Sequence, residues 1–349
     1  MNRLELLASL KAVMPGLDRG GAIVQGADTV VLSPGLAQTY NDHVSVTHPA
    51  PIPDGINAAI RAQDMIRVLE RMAGLDVETK VTPNNKLELS DGRTTLSMAL
   101  VEANTVGLIR ALDLEGLEWQ PLPPNFTKAL ALTAPGASRN PAHGVWAGVC
   151  IMVDRMLSTD NFRCSWAELE CPMAEGDFAQ FVIPAKAAAQ IASMDGLESW
   201  AATPSWVHFM DSNGAVFSSR LLGGSFPVDG VINLFPEESG DEWELPEALK
   251  PALERAAVMA SALDGGMEYV TIRKDDQDIV VMGERSSGSV TDRVPAVERG
   301  WPDGAAISIS PKYLLDIMGT TRRFRMAGNL LAFTAPGFRH VTSTISTVK

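Results

Sequence analysis

The pattern of hydrophobic and polar positions repeats the same succession of predicted elements along the chain. A short alternating run, typical of a β-strand, leads into an apolar pattern with helical spacing that ends near a glycine. Three segments have this form: 56–74, 180–196 and 305–319. Gln63, Lys186 and Lys312 hold equivalent places in them, at intervals of 123 and 126 residues. A repeat of this length is the size of a domain.

A second set of helical patterns has nearly the same period. The segments are 4–14, 124–134 and 246–262, and Leu10, Leu130 and Leu253 align at intervals of 120 and 123 residues. β-rich stretches with turn signals follow, such as 77–102, which is punctuated by Pro-Asn-Asn and Asp-Gly. Each repeat therefore predicts helix, strands, helix and hairpin strands, which is an α+β fold.

Two acidic, proline-containing stretches separate the repeats. They are 112–124 and 235–247, and their composition suits solvated connectors. The sequence predicts three similar domains, at 1–117, 118–238 and 239–349.

Composition narrows the class of protein. The 349 residues are 46% hydrophobic and 20% charged, and no apolar run is long enough to span a membrane. The N-terminal segment has helical spacing interrupted by Glu5 and Lys11 rather than a signal core, so we expect a cytoplasmic protein. Cys150, Cys164 and Cys171 suit neither a disulfide framework nor a zinc site, and we expect no metal and no cofactor.

The net charge of −13 argues at first sight against nucleic acid, because neutralising phosphates needs cations. Net charge does not describe distribution, however, and a basic face can exist on an acidic protein. Motifs for catalysis are missing from the sequence pattern. The five histidines lack a partner nucleophile, and the acidic run 273–278 lacks the glycine and final glutamate of a calcium loop.

Three motifs carry a resemblance to a known family. The stretch 217–236 has Phe217, Ser219, Arg220, Leu221, Leu222, Gly224, Phe226 and Pro227, followed by Pro236. The stretch 158–163 has Thr159, Asp160 and Arg163, with Asn161 where the family has glycine. Asn tolerates the left-handed backbone that glycine would supply. The third motif is the Val-Ile-Pro-Ala-Lys entry to a helix within 180–196.

On these motifs the chain resembles the bacterial DNA polymerase III β subunit, the sliding clamp, in a divergent form of the kind a phage encodes. The strand 92–102 is similar to a family strand in the first domain. Two departures stand out. The family often ends in an apolar Met-Pro-containing tail where this chain ends in STISTVK, and Val228 follows the Phe-Pro pair where an acidic or aromatic residue is usual.

The resemblance implies a homodimeric ring of DNA-clamp domains, with helices lining the hole and antiparallel sheets outside. Cations of the helical segments would then face double-stranded DNA, without sequence preference. They are Lys11, Arg61, Arg67, Arg71, Lys128, Lys186, Lys250, Arg255, Lys312, Arg322 and Arg323. Ordinary solvated helix faces would also carry such residues.

The resemblance also implies a groove for short peptide motifs of the DNA polymerase and the clamp loader. By position its residues are Leu157, Thr159, Phe162, Arg163, Pro236 and Ile345. Apolar side chains would bury the anchors of the peptide, and Arg163 or Thr159 would satisfy a polar group.

The function expected from the resemblance is that of a non-enzymatic processivity factor that tethers a polymerase to DNA by topology. Two alternatives come from other classes: a structural component of a phage particle built from repeated β-rich domains, and a hydrolase. The hydrolase would need a convergent acid-base or metal cluster. The structural protein would not need cations gathered on its helices.

Overall fold

The computed structural model describes residues 1–17, 27–101, 112, 114–173, 180–237, 239–262 and 268–345. The chain forms two compact units. The first comprises Met1–Thr127, Met173–Gly176 and Ala189–Leu221, and the second comprises Lys128–Pro172, Asp177–Ala188 and Leu222–Lys349.

The α-helices of the described residues are short. They are α1 (Arg3–Ala12), α2 (Ala62–Leu69), α3 (Phe126–Thr133), α4 (Ala185–Ile191), α5 (Val228–Ile232), α6 (Leu249–Ala257) and α7 (Pro311–Met318). Single 3₁₀ turns follow α1 and α3 at Met14–Gly16 and Ala134–Gly136, and another 3₁₀ segment is Pro141–Ala147.

The strands are more numerous than the helices. They are β1 (Thr29–Ser33), β2 (Leu36–Tyr40), β3 (Val44–Pro49), β4 (Ala58–Arg61), β5 (Glu78–Thr82), β6 (Lys86–Ser90), β7 (Thr95–Ala99), β8 (Gln120–Pro121), β9 (Gly148–Met152), β10 (Arg155–Thr159), β11 (Arg163–Glu168), β12 (Gln180–Pro184), β13 (Leu197–Ala202), β14 (Trp206–Asp211), β15 (Val216–Arg220), β16 (Trp243–Glu244), β17 (Ser261–Ala262), β18 (Glu268–Asp275), β19 (Asp278–Arg285), β20 (Gly288–Pro295), β21 (Ala306–Ile309), β22 (Arg323–Ala327), β23 (Leu330–Ala335) and β24 (Phe338–Ser343).

The first unit contains an eight-stranded antiparallel sheet in the order β4-β1-β2-β3-β15-β14-β13-β8. Its central ladder joins β3 to β15, with Val46 opposite Phe217. A three-stranded sheet, β5-β6-β7, follows α2 in the chain. Asn85 and Gly92 have positive φ in the two turns of this sheet, as the turn signals predicted.

The second unit contains a matching eight-stranded sheet in the order β12-β9-β10-β11-β24-β23-β22-β16. Its central ladder pairs β11 with β24, from Arg163 opposite Thr342 to Ala167 opposite Phe338. A five-stranded sheet, in which β17, β18, β19 and β20 follow one another and β21 pairs with β18, completes this unit.

Helix positions follow from the apolar spacing that the sequence shows. In α6 the buried residues are Leu249, Ala252, Leu253 and Ala256, which is one face of a helix. The side chain of Asn2 caps α1 by accepting hydrogen bonds from the backbone N–H groups of Leu4 and Glu5. Burial of one face leaves the opposite face of each helix in solvent.

The predicted α+β class with antiparallel sheets and three similar repeats is confirmed. α1 and α2, α3 and α4, and α6 and α7 occupy the equivalent places in the three repeats, each pair followed by strands that form hairpins. The domain boundaries after residues 117 and 238 stay predictions. The Phe-Pro pair at Phe226 and Pro227 leads into α5, a short helix that the sequence pattern did not predict.

Candidate nucleic-acid surface and partner groove

The Thr159–Arg163 turn connects β10 to β11 and is held by its own side chains. Asp160 Oδ1 accepts hydrogen bonds from the backbone N–H groups of Phe162 and Arg163, both at 3.0 Å. Thr159 Oγ1 donates to the carbonyl oxygen of Arg163 at 2.8 Å and accepts from the N–H of Asn161. Asn161 has φ of 78°, so it takes the left-handed conformation expected of the residue that replaces glycine.

Arg163 is buried, with 2% of its side chain exposed. Its Nε donates to Asp160 Oδ2 at 3.0 Å, and its Nη1 donates to Asp316 Oδ2 at 2.8 Å. The guanidinium lies 4.4 Å from the centre of the Tyr313 ring, a cation–π contact. Arg163 therefore joins its own turn to α7, which contains both Tyr313 and Asp316.

Lys312 completes this cluster, because its Nζ lies 3.2 Å from the same Oδ2 of Asp316. Burial alone would raise the pKa of Asp316, but the hydrogen bond from Arg163 and the charge of Lys312 outweigh it and lower that pKa. Burial, and then the charge of Arg163, lowers the pKa of Lys312. Burial raises the pKa of the Tyr313 hydroxyl. The cluster pairs two cations with two carboxylates.

The residues expected in the partner groove lie in three settings. Thr159, Phe162 and Arg163 share the turn, and of these only Phe162 is exposed, at 46%. Leu157 is buried in an apolar cluster that includes Cys164, Val231 and Val341. Pro236 borders a separate cleft, and Ile345 pairs with Ser308 through a 2.6 Å backbone hydrogen bond. Arg163, expected to bind a peptide group, donates within the chain to two carboxylates.

The cleft beside Pro236 contains residues that the sequence did not reveal as a group. Arg339 donates to the Pro236 carbonyl oxygen at 3.0 Å and lies over the rings of Trp166 and Phe235, which meet edge to face. Trp166 and Arg339 are directly opposite each other in the β11–β24 ladder, a pairing that no local pattern encodes. The cleft has a volume of about 20 Å³, room for little more than one water molecule.

Seven of the eleven cations expected to face DNA have a carboxylate within 4.0 Å. The pairs are Lys11 with Glu70, Arg61 with Asp28, Arg67 with Asp64, Arg71 with Glu70, Arg255 with Asp292, Lys312 with Asp316 and Arg322 with Glu244. The other four, Lys128, Lys186, Lys250 and Arg323, are exposed and have no carboxylate this close among the described residues.

Four of these cations lie outside the helices that the sequence suggested. Arg61 ends β4 and is the N-cap of α2, while Arg71 follows the C-cap of that helix. Arg322 and Arg323 come after α7, which ends at Met318, and Arg323 begins β22. Gly319 caps α7, and the β-branched Thr320 and Thr321 that follow do not favour another helical turn.

The helices differ in charge from the chain as a whole. α1–α4, α6 and α7 together contain eight Lys and Arg residues but four Asp and Glu residues, a net charge of +4. The whole chain has a net charge of −13, so the acidic residues are concentrated in the strands and connecting segments. α1, α3, α4 and α6 each have a net charge of +1, while α2 and α7 are neutral. Each helix alone is too weakly charged to indicate a binding site, and the significance lies in the absence of a net negative charge on any of the six.

Other kinds of site have little support in the described residues. Within these ranges no group of three His, Cys, Asp or Glu side chains is placed to hold a metal ion. The helices that the structure describes include none long and apolar enough to cross a membrane. Trp200 and Trp206 are buried, so their rings are not available to stack on nucleic-acid bases.

Solved structures with the same fold include bacterial DNA polymerase III β subunits. The β chain of DNA polymerase III from Streptococcus pneumoniae matches with a TM-score of 0.80 and 18% identity, over 99% of this chain and 98% of that chain. The DNA polymerase sliding clamp from Bacillus subtilis matches with a TM-score of 0.77 and 17% identity, over 100% of this chain and 98% of that chain.

The β sliding clamp of Caulobacter crescentus matches with a TM-score of 0.77 and 17% identity, over 99% of this chain and 98% of that chain. In that structure polyethylene glycol is bound to a putative β-motif tethering region. No protein-family model matches this chain, and no curated protein sequence matches it. The resemblance drawn from the three motifs is therefore confirmed in the fold, across nearly the whole chain.

The buried cluster around Arg163 generates a stability prediction. Replacing Arg163 with Met leaves two carboxylates without their guanidinium, which we expect to cost about 3 kcal/mol of unfolding free energy at neutral pH. Chemical denaturation measures this loss. The exposed pair of Arg220 with Asp42 supplies the control, since Arg220→Met should cost less than about 1 kcal/mol.

The difference in unfolding free energy between wild type and Arg163→Met should depend on pH, because the pKa of Asp316 is lowered in the folded protein. A carboxylate with a lowered folded-state pKa adds stability above its unfolded value, about 3.9, and loses it as the pH falls through the folded value. The gap between wild type and Arg163→Met should narrow below about pH 4. If Arg163→Met and Arg220→Met lost the same free energy of unfolding at neutral pH, the buried cluster would contribute no more stability than the exposed pair, contrary to this prediction.

Proposed function

We propose that this protein is a DNA sliding clamp, a processivity factor that encircles duplex DNA and tethers a replicative polymerase. The observation that carries the proposal is the fold of bacterial sliding clamps over nearly the whole chain. The net positive charge of six helices in an otherwise acidic protein supports it. The same charge pattern disfavours the structural phage protein considered as an alternative.

A clamp acts by topology and needs no catalytic residue. A polymerase that releases the primer end stays beside it, because the tether keeps its effective concentration high. The ring must remain on DNA without fixing its position, and contacts to phosphates supply attraction without sequence preference. Weak contacts of this kind permit sliding.

Paired and unpaired cations play different parts in this proposal. Lys128, Lys186, Lys250 and Arg323 are exposed without a nearby carboxylate among the described residues, so phosphates meet no competitor there. Lys11, Arg67 and the other paired cations lie beside carboxylates of their own helices or neighbours. Their attraction for phosphate is reduced, and the four unpaired cations supply most of the affinity.

We propose a head-to-tail dimer closed by sheet edges. In the described residues β20 pairs with β19 alone, and β7 pairs with β6 alone, so each has a free edge. A free edge offers backbone groups to another chain. Val258, at the C-cap of α6, is 62% exposed, and the adjacent Met259 side chain lies 3.9 Å from where a Cβ on Gly288 of β20 would be. An exposed valine beside a free edge suits a contact between subunits.

The partner groove is proposed around Phe162, with Leu157, Thr159, Arg163, Pro236 and Ile345 as its surroundings. Phe162 is a large exposed apolar side chain on a turn that is rigid because of its own hydrogen bonds. A rigid aromatic anchor suits a short extended peptide from the polymerase or the clamp loader. Because Leu157 is buried, it shapes the floor of the groove rather than its surface.

Charge reversal on the helices tests the DNA surface. Replacing Lys128, Lys186 and Lys250 together with Glu should weaken binding to a short duplex by at least about 30-fold and reduce the slope of its salt dependence by about 3. Fluorescence anisotropy at several salt concentrations measures both quantities.

A matched control separates position from net charge. Lys80, Arg93 and Arg299 are exposed cations of strands and turns, and replacing all three with Glu changes the net charge of the chain by the same amount. We expect this variant to bind the duplex within about threefold of wild type. Equal weakening by the two triple variants would show that the helices form no special surface.

Light scattering tests the dimer. Wild-type protein should have the mass of two chains at micromolar concentration, and Val258→Glu should shift it toward one chain, because a buried charge at the contact has no partner. Leu234 is also an exposed large apolar residue, and Leu234→Glu should leave the dimer intact. A monomeric wild-type protein would count against the ring.

A further inference from the structure

One carboxylate oxygen, Oδ2 of Asp316, lies between two cations that differ in exposure and in the number of contacts that hold them. Asp316 Oδ2 accepts from Arg163 Nη1 at 2.8 Å and lies 3.2 Å from Lys312 Nζ. The side chain of Arg163 is 2% exposed and is also fixed by Asp160 and Tyr313, whereas the side chain of Lys312 is 34% exposed. Asp316 is the ion-pair partner of Lys312 among the described residues, so the ammonium can leave this carboxylate without breaking a second ion pair there.

Because Arg163 and Lys312 share one carboxylate oxygen of Asp316, each of the two ion pairs is weaker than it would be alone. Two like charges next to one oxygen repel each other. Burial, and after it the charge of Arg163, lowers the pKa of Lys312. When a different anion takes the ammonium of Lys312, Asp316 interacts with Arg163 alone and holds it more strongly. DNA phosphates are such anions, since Lys312 belongs to the cations proposed to face DNA.

We propose that Asp316 couples phosphate contact at Lys312 to the rigidity of the Thr159–Arg163 turn. The inference rests on the proposed function, because duplex DNA is the ligand that draws Lys312 away. Arg163 uses separate nitrogens for Asp160 and Asp316, so a stronger bond to Asp316 does not weaken the bond to Asp160. The turn tightens as a whole.

The tightened turn contains the exposed ring of Phe162. The backbone N–H groups of Phe162 and Arg163 both donate to Asp160, and the carbonyl oxygen of Phe162 accepts from the N–H of Ser343 at 2.8 Å. Less frequent opening of the turn fixes Phe162 before a partner arrives, which reduces the entropy lost on binding. A clamp on DNA would then bind its partners more tightly than a free clamp.

Linkage makes the effect reciprocal. A partner that holds the turn closed strengthens the bond between Arg163 and Asp316, and Lys312 becomes more available to phosphate. In this proposal the carboxylate of Asp316 changes from two partners, Arg163 and Lys312, to Arg163 alone, and this change is the two-state element that carries the coupling.

Hydrogen exchange of the turn tests the coupling. In wild-type protein, excess short duplex DNA at low salt should slow amide exchange at Phe162 and Arg163 by about threefold or more. Mass spectrometry of peptides that cover 159–163 gives the rates, and anisotropy on the same samples gives duplex binding.

Two variants and a control assign the effect to the cluster. Lys312→Met should give a turn that is already protected and does not respond to DNA, and Asp316→Asn should give a faster-exchanging turn that also does not respond. Lys128→Met removes another exposed lysine from the second unit. It should weaken binding of the duplex yet keep the response of the turn once DNA is bound.

The outcomes separate this inference from the proposed function. Duplex binding by wild type without slower exchange at the turn would overturn the coupling and leave the clamp proposal standing. The same response in Lys312→Met as in wild type would also overturn it, whether or not Asp316→Asn folds. Failure of wild type to bind duplex at all would overturn both proposals.

Discussion

Backbone pairing between β11 and β24 is the interaction on which the candidate site depends. These strands lie 175 residues apart in the chain, as the opposed pair Ser165 and His340 shows, yet they form the centre of one eight-stranded sheet. The pairing sets Trp166 opposite Arg339 and places the Thr159–Arg163 turn beside the end of β24. The ladder between β3 and β15 has the same place in the other eight-stranded sheet. These ladders position the strands from which the Thr159–Arg163 turn and the Trp166–Arg339 contact extend.

The acidic composition of the chain and the proposed binding of DNA are compatible because charge is unevenly distributed. The six helices α1–α4, α6 and α7 together have a net charge of +4 in a chain of −13. Acidic residues close to many of the helical cations moderate their attraction for phosphate. A ring that must slide benefits from weak contacts, since each strong contact would fix its position. We therefore regard the internal ion pairs as part of the proposed function.

Much of the fold follows from sequence pattern. The domain-sized period, the pairs of helices and the turns with positive φ at Asn85 and Asn161 all arise from local spacing and local backbone preference. The resemblance to sliding clamps rests on the same kind of local evidence, because its motifs are a strand end, a turn and a helix entry. Local conformational preference acts over a few residues, and each of these features depends only on residues that are close in the sequence.

The candidate site was less predictable because its contacts are distant in sequence. Arg163 was expected to serve a bound peptide, but its carboxylate partner Asp316 lies 153 residues further along the chain. The stacking of Arg339 on Trp166 and Phe235 has the same origin. Arg322 and Arg323 were also expected within a helical segment, but both follow α7, which ends at Met318. Pattern identifies which residues are available, and strand pairing decides which of them meet.

Encirclement of DNA is the central claim, and trapping by ligation measures it most directly. A linear duplex can enter a ring by its ends, so ligating those ends with the protein present should lock the ring on a circle. The account predicts that protein then elutes with the circle in gel filtration at a salt concentration that removes it from linear duplex. A single cut in the circle should release it. Equal loss from circular and linear DNA at that salt concentration would contradict encirclement.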